Sequence, residues 1–277
     1  MYKRILTMQD ISCVGQCSMT VALPVLSVCG LETCILPSKL LSTHTGGFTD
    51  VKMVQLQEEI PGFWQHWKRE GLAFDGFYSG YLGGIPQIQE AKKILLDVAA
   101  SGGCTFVDPA MADGGKLYKG FDREYADAMK ELCACADVIL PNITEACLLT
   151  GMEYREDYGE SYIQALLDAL SGVCTGSIVL TGVGYCPEQT GVVIRQGEKC
   201  DYFQQEKLPK NYHGTGDLFA ACLVGSFMGG DSLLSAAALA AEFVAQCIRN
   251  TLDDPAHRYG VKFETALPWL INRMNKG

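Results

Sequence analysis

The stretch DVILPNITEACLLTG, residues 137–151, decides the fold. Its first half is a short apolar run that reads as a buried strand. Its second half reads as a helix, with Asn142 placed as cap and Glu145 three residues on, the spacing of a capping box. A strand that turns directly into a helix is half of a crossover unit. The same alternation runs upstream. RILTM (4–8), ETCILP (32–37), FDGFYSG (74–80) and CTFVDPA (104–110) read as strands. SMTVALPVLSVCG (18–30), IQEAKKILLDVAAS (88–101) and REYADAMKELCACA (123–136) read as helices, Ser18 standing near the start of the first. Downstream come a helix, YIQALLDALSG (162–172), a strand, GSIVLTG (176–182), and a hairpin through Gly197. Helices at 218–229, 232–250 and near Trp269 close the chain. This order predicts an α/β fold of three layers: a mainly parallel central sheet with helices on both faces, plus a small β-hairpin. Without a linker, a repeat or a low-complexity tract, residues 1–277 read as a single domain.

The composition narrows the function. Of 277 residues 48% are hydrophobic, enough for a large core, and the net charge is −10. No Lys/Arg run is present, which argues against nucleic acid as partner. No apolar stretch approaches the roughly 20 residues of a membrane span. MYKRILTMQDIS lacks the apolar centre of a secretory leader, so a soluble cytoplasmic protein is expected. The 13 cysteines contain no C-x-x-C pair, so neither a zinc ribbon nor a thioredoxin-like site is indicated. Most read as reduced core thiols. Cys13 and Cys17, near a candidate site, are the ones left open.

Polar residues gather where the strands end. Asp10 follows the first strand, Ser79 and Tyr81 the third, Asp108 follows TFV, Asn142 follows VILP and Thr181 follows IVL. Ligands of open α/β sheets sit beyond the carboxyl ends of the strands, so these residues are expected to converge on one cleft. Each alone also reads as a turn former or cap. The second informative stretch is NYHGTGDLFAACLVGSF, residues 211–227. Glycines on both sides of Thr215 let a backbone approach an anion closely, and the helix that follows presents unpaired N–H groups. Asp217 reads either as the cap of that helix or as a working carboxylate. There is neither a P-loop nor a G-x-G-x-x-G fingerprint.

These pieces carry a resemblance. MQDISCVGQ (8–16), STHTGGFTD (42–50), SGYLGG (79–84), VDPAMAD (107–113), LPNITEA (140–146), LTG (180–182) and HGTGDLFAA (213–221) occur in the order found in ribokinase-superfamily small-molecule kinases. The chain resembles the pyridoxal kinase branch. The resemblance implies phosphoryl transfer from ATP to the 5′-hydroxymethyl group of a vitamin B6 vitamer. It implies ATP and Mg²⁺, with a monovalent cation such as K⁺ an open question, and a homodimer that acts on a small-molecule substrate. By resemblance Asp217 is the general base, and the amides of Gly214, Thr215 and Gly216 form the anion hole. Asp113, Lys116, Asn142 and Thr181 belong to the nucleotide, and Asp108 and Glu145 to the metal region. Ser12, Thr45 and Tyr81 border the ring. His44 is expected to act as a loop hydrogen-bonder, and His213 to border the nucleotide. His66 and His257 read as surface residues. Asp10 stands where relatives commonly have serine, which suggests a preference for a cationic ring or amine. Lys39 is a second departure. The runner-up is a hydroxymethylpyrimidine kinase. A nucleotide-binding regulator without turnover, or an NAD-dependent oxidoreductase, fits less well.

Overall fold

The computed structural model describes residues 2–275. The first elements are β1 (Arg4–Ser12), α1 (Met19–Val28), β2 (Glu32–Leu41), β3 (Met53–Gln55) and α2 (Ile60–Arg69). Then come β4 (Gly76–Ser79), α3 (Ile85–Ala100), β5 (Cys104–Val107), β6 (Ala112–Asp113), β7 (Lys116–Leu117) and α4 (Arg123–Cys133). They are followed by β8 (Val138–Ile139), α5 (Ile143–Thr150), α6 (Glu160–Ser171), β9 (Ser177–Thr181), β10 (Gln189–Gln196) and β11 (Lys199–Glu206). The chain closes with α7 (Thr215–Gly229), α8 (Leu233–Arg249), a 3-10 turn (Phe263–Ala266) and α9 (Leu267–Met274). Contacts group the described residues into two compact units. One runs up to Gly76 and resumes at Leu208; the other is Phe77–Lys207.

In the first unit β1 and β2 pair in parallel, from Arg4 opposite Glu32 to Ser12 opposite Leu41, and β3 joins β2 antiparallel. Residues Ile5 to Asp10 are all buried, as expected of a strand covered on both faces. The register slips between Gln9 and Ile11, so that Asp10 faces two residues, Ser38 and Lys39. Such a bulge re-aims side chains next to active sites. Both strands run past their predicted ends. Asp10 and Ser12 therefore lie on β1 rather than after it, and Lys39 lies inside β2. Helix α7 is buried along nearly its whole circumference from Leu218 to Ser226, which makes it the unit's central helix.

In the second unit the strand order is β4, β5, β8, β9, β10, β11. The β5–β8 and β8–β9 pairs are parallel, while β10 and β11 form the predicted hairpin through Gly197. A smaller hairpin, β6–β7, turns at Gly114 and Gly115, both in the left-handed region. The α/β reading and its mainly parallel strands hold in both units. No helix among the described residues is long and apolar enough to cross a membrane.

Candidate active site

The GTGD turn is built by close packing. Gly214 is the N-cap of α7, with φ +79°, and makes no side-chain cap bond. A Cβ added there would be driven into the carbonyl oxygen of Gln16. Gln16 is itself tied down: its N–H donates to the Tyr259 carbonyl at 3.0 Å, and its Oε1 lies 2.9 Å from His257 Nε2. His257 is thus part of the scaffold, not a plain surface residue. The Thr215 hydroxyl donates to the Tyr212 carbonyl at 3.1 Å, which locks the turn and leaves only the amide of Thr215 for an incoming anion. Gly216 is exposed, and nothing lies within 4 Å of a Cβ placed on it. The helix begins at Thr215, three residues earlier than the sequence predicts, so Asp217 is its third residue and does not cap it.

Asp217 keeps some exposed surface, but its carboxyl lies in a desolvated setting. Burial pushes the carboxyl up to about 6; the nearby Ser18 backbone opposes that rise and Asp10 adds to it. Asp10, at the bulge, is 3% exposed. Burial raises its pKa, and the Ser18 hydroxyl, Lys39 and the Ser12 hydroxyl oppose that rise. Ser12 Oγ donates to Asp10 Oδ2 at 3.2 Å. Lys39 is 6% exposed, and burial lowers its pKa while Asp10 supports its charge. Cys17 Sγ sits 3.5 Å from Ser12 Oγ, and burial and Asp217 push its thiol up to about 12, so it stays protonated. Asp10, Ser12 and Cys17 are therefore brought together, and Asp217 lies near enough for its charge to act on Cys17 and that of Asp10 to act on it.

The loop that carries Thr45 packs on the same turn. His44 accepts the Gly46 N–H on Nδ1 at 3.0 Å, as a loop hydrogen-bonder does. Its ring lies 5.4 Å from that of His213, and a Cβ on Gly46 would collide with the His213 ring. His213 therefore borders the Thr45 loop. Thr45 itself is exposed.

In the second unit the ends of successive strands lie side by side. The Asp108 N–H donates to the Ser79 carbonyl at 2.9 Å, the Thr181 N–H to the Pro141 carbonyl at 2.9 Å, and Asn142 bridges Thr181. Asn142 and Glu145 form a complete capping box at α5. Asn142 Oδ1 accepts the Glu145 N–H at 2.9 Å, and its Nδ2 donates to the Ala112 carbonyl at 2.8 Å. The buried Glu145 accepts the Asn142 N–H at 2.9 Å on Oε2, and the N–H groups of Met111 and Ala112 at 2.9 and 3.4 Å on Oε1. Burial still pushes its carboxyl up to about 7. Asp108 is buried, and its Oδ1 accepts the Ala110 N–H at 3.1 Å. No group of three or more His, Cys, Asp or Glu side chains placed to share an ion occurs among the described residues. Asp113 and Lys116 are exposed on the β6–β7 hairpin. Tyr81 packs its ring 5.4 Å from Phe121, which stacks on Tyr125.

Ser18 and Lys39 are the members of this constellation that their sequence positions underrate. A serine before a helix reads as a cap, yet no side-chain cap bond forms at Ser18.

Residues 79–261 match the family described as phosphomethylpyrimidine kinase. A pyridoxal kinase of Arabidopsis thaliana is 28% identical over 91% of this chain and 83% of its own length. The structure of a putative phosphomethylpyrimidine kinase from Bacteroides thetaiotaomicron, in a crystal form with pyridoxal, is similar at a TM-score of 0.91. It shares 34% identity, and the match covers 98% of this chain and 96% of that one. Pyridoxal kinase from Lactobacillus plantarum gives a TM-score of 0.90 at 32% identity, over 99% and 98% of the two chains.

Proposed function

The chain belongs to the phosphomethylpyrimidine kinase family, and from that premise we propose that it phosphorylates the 5′-hydroxymethyl group of a vitamin B6 vitamer with ATP. The observation that carries this reading is Asp217. It is the third residue of α7, beside glycine amides, and does not cap the helix. A carboxylate with a value near 6 is ionised at neutral pH yet still basic enough to take a proton. Asp217 would accept the proton of the substrate hydroxyl as it attacks the terminal phosphorus. The first-turn amides of Gly214, Thr215 and Gly216 would hold the charge that develops on the transferred group. Ser12, Thr45 and Tyr81 would border the ring. Asn142, Asp113, Lys116 and Thr181 would serve the nucleotide, Asn142 by holding the loop at Ala112 rather than by a spare amide.

Mg²⁺ would neutralise phosphate charge when bound. The donor set fits an ion that takes most of its ligands from phosphate and water. Glu145 has both oxygens on backbone N–H groups, so its part would be played through water, and Asp108 would share the metal region.

The relatives that act on or hold pyridoxal favour a pyridine over a pyrimidine. ADP release measured with pyridoxal, pyridoxine, pyridoxamine and hydroxymethylpyrimidine tests the proposal. Turnover is expected with the pyridines, at a kcat/KM at least about tenfold above the pyrimidine. A higher kcat/KM for the pyrimidine would replace this reading with the thiamin-synthesis one.

A further inference from the structure

Tyr81 is the outer ring of a stack of three that lies wholly in the second unit. Its centroid is 5.4 Å from that of Phe121, with the planes at 31°. Phe121 lies flat on Tyr125, with centroids 3.7 Å apart and planes at 8°. The inner end is fixed. Tyr125 is 3% exposed, its hydroxyl donates to the Leu82 carbonyl at 2.7 Å, and its N–H donates to the Asp122 cap of α4 at 3.0 Å. Leu82 belongs to the same loop as Tyr81. That loop is tied a second time where the Gly83 N–H donates to Gln87 Oε1 at 2.6 Å. Tyr81 and Phe121 are half-buried, so the stack runs outward from a fixed base to a residue that still meets solvent. The backbone of Phe121 is also held: its N–H donates to the Tyr118 carbonyl at 3.1 Å, and the Tyr118 N–H donates to the Met111 carbonyl at 2.9 Å.

We propose that Phe121 is a positioning residue for the vitamer ring: it holds the Tyr81 side chain in the orientation in which Tyr81 borders the substrate, and so sets the affinity for pyridoxal without taking part in the transfer. This rests on the reading of Tyr81 as a border of the ring. The physical ground is preorganisation. Tyr81 stands on a loop with Gly80 before it and Gly83 and Gly84 close behind, and a side chain free to turn on such a loop would have to be ordered when a flat heterocycle docks. The Phe121 ring removes that freedom before the substrate arrives, and Tyr125 does the same for Phe121. Phe121 has no polar side-chain atom, so it brings neither a proton nor a hydrogen bond to the reaction, and its effect is confined to binding. Leucine at this position is also apolar but has no ring face, so it separates stacking from simple burial.

The test is steady-state kinetics with pyridoxal at saturating ATP and Mg²⁺. Phe121→Leu keeps an apolar side chain at a half-buried position, so the fold is retained. It is expected to raise KM for pyridoxal about threefold to tenfold, with kcat and the KM for ATP within about twofold of the wild type. Phe121→Tyr keeps the stack and is expected to restore the pyridoxal KM to within about twofold. Combining Tyr81→Leu with Phe121→Leu is expected to raise KM no further than Tyr81→Leu alone, because Phe121 acts through Tyr81. A Phe121→Leu enzyme with an unchanged pyridoxal KM, beside a Tyr81→Leu enzyme with a raised one, would overturn the proposal. So would a double variant in which the two effects multiply, since Phe121 would then act elsewhere. Tyr81→Leu run alone separates the two levels: if it leaves the pyridoxal KM unchanged, the reading of Tyr81 itself fails and the inference falls with it.

Discussion

Helices α5 and α7 begin alike and are used differently. Each places an acid at its third residue, Glu145 after the Asn142 cap and Asp217 after the Gly214 cap. Burial raises both carboxyls, to about 7 and about 6. At α5 the side chains close on the backbone: cap and acid satisfy each other, and the acid takes two further N–H groups, those of Met111 and Ala112 where β6 begins. At α7 a glycine caps with no side chain, so cap and acid do not close on each other there. A raised carboxyl value therefore does not mark a catalytic acid by itself. What separates the two is where the hydrogen bonds of the helix start go.

The comparison breaks most readily at the caps. Gly214→Ala forces a Cβ into the Gln16 carbonyl at φ +79°, and it is expected to cost about 3 kcal/mol or more and to lower Tm by roughly 10 °C. A melting curve that matches the wild type would show that the turn is not tightly built. Glu145→Gln must set an NH₂ group against a backbone N–H on one side or the other. A loss of about 1–3 kcal/mol in chemical denaturation is expected, and no loss would mean that the box is not holding the loop. Asn142→Ala removes the cap and is expected to cost about 1 kcal/mol, read as a shift in denaturation midpoint at constant slope. The smallest stability effect is expected at Gly216→Ala. The site has room for the methyl group, so stability should stay level or rise by about 0.5 kcal/mol while turnover falls. Unchanged turnover would show that the open space at Gly216 serves no ligand.

The two acids also set a pH dependence. Each folded-state value lies above the ordinary one, so each group contributes stability while protonated. That contribution is lost as pH rises from 3.8 to about 6 for Asp217 and from 4.5 to about 7 for Glu145. Asp217→Asn is therefore expected to melt no lower than the wild type above about pH 6, in contrast to Glu145→Gln.

Much of this was legible in the residues. Strand and helix alternate with the expected turn residues, the hairpin has Gly197 at its tip, and GTGD announces the start of a helix. Helix α2 escaped because IPGFWQHWKR opens on Pro and Gly, and it buries only Ile60 and Trp64, too few positions for a clear helical stripe. The lengths of β1 and β2 escaped because the bulge at Asp10 interrupts the pattern with Gln9, Asp10, Ser38 and Lys39, polar residues that are buried all the same. Burial of that kind is a long-range property. The positive φ of Ser18, with no side-chain cap bond, is a backbone property that a local pattern does not carry.

The central claim is that Asp217 works on the substrate rather than on its helix. The most direct measurement is the single-turnover rate of pyridoxal 5′-phosphate formation by Asp217→Asn, with pyridoxal affinity measured in parallel. The account predicts a rate lower by about 10²–10⁴ with affinity kept within a few-fold. A variant that forms the product as fast as the wild type would contradict it.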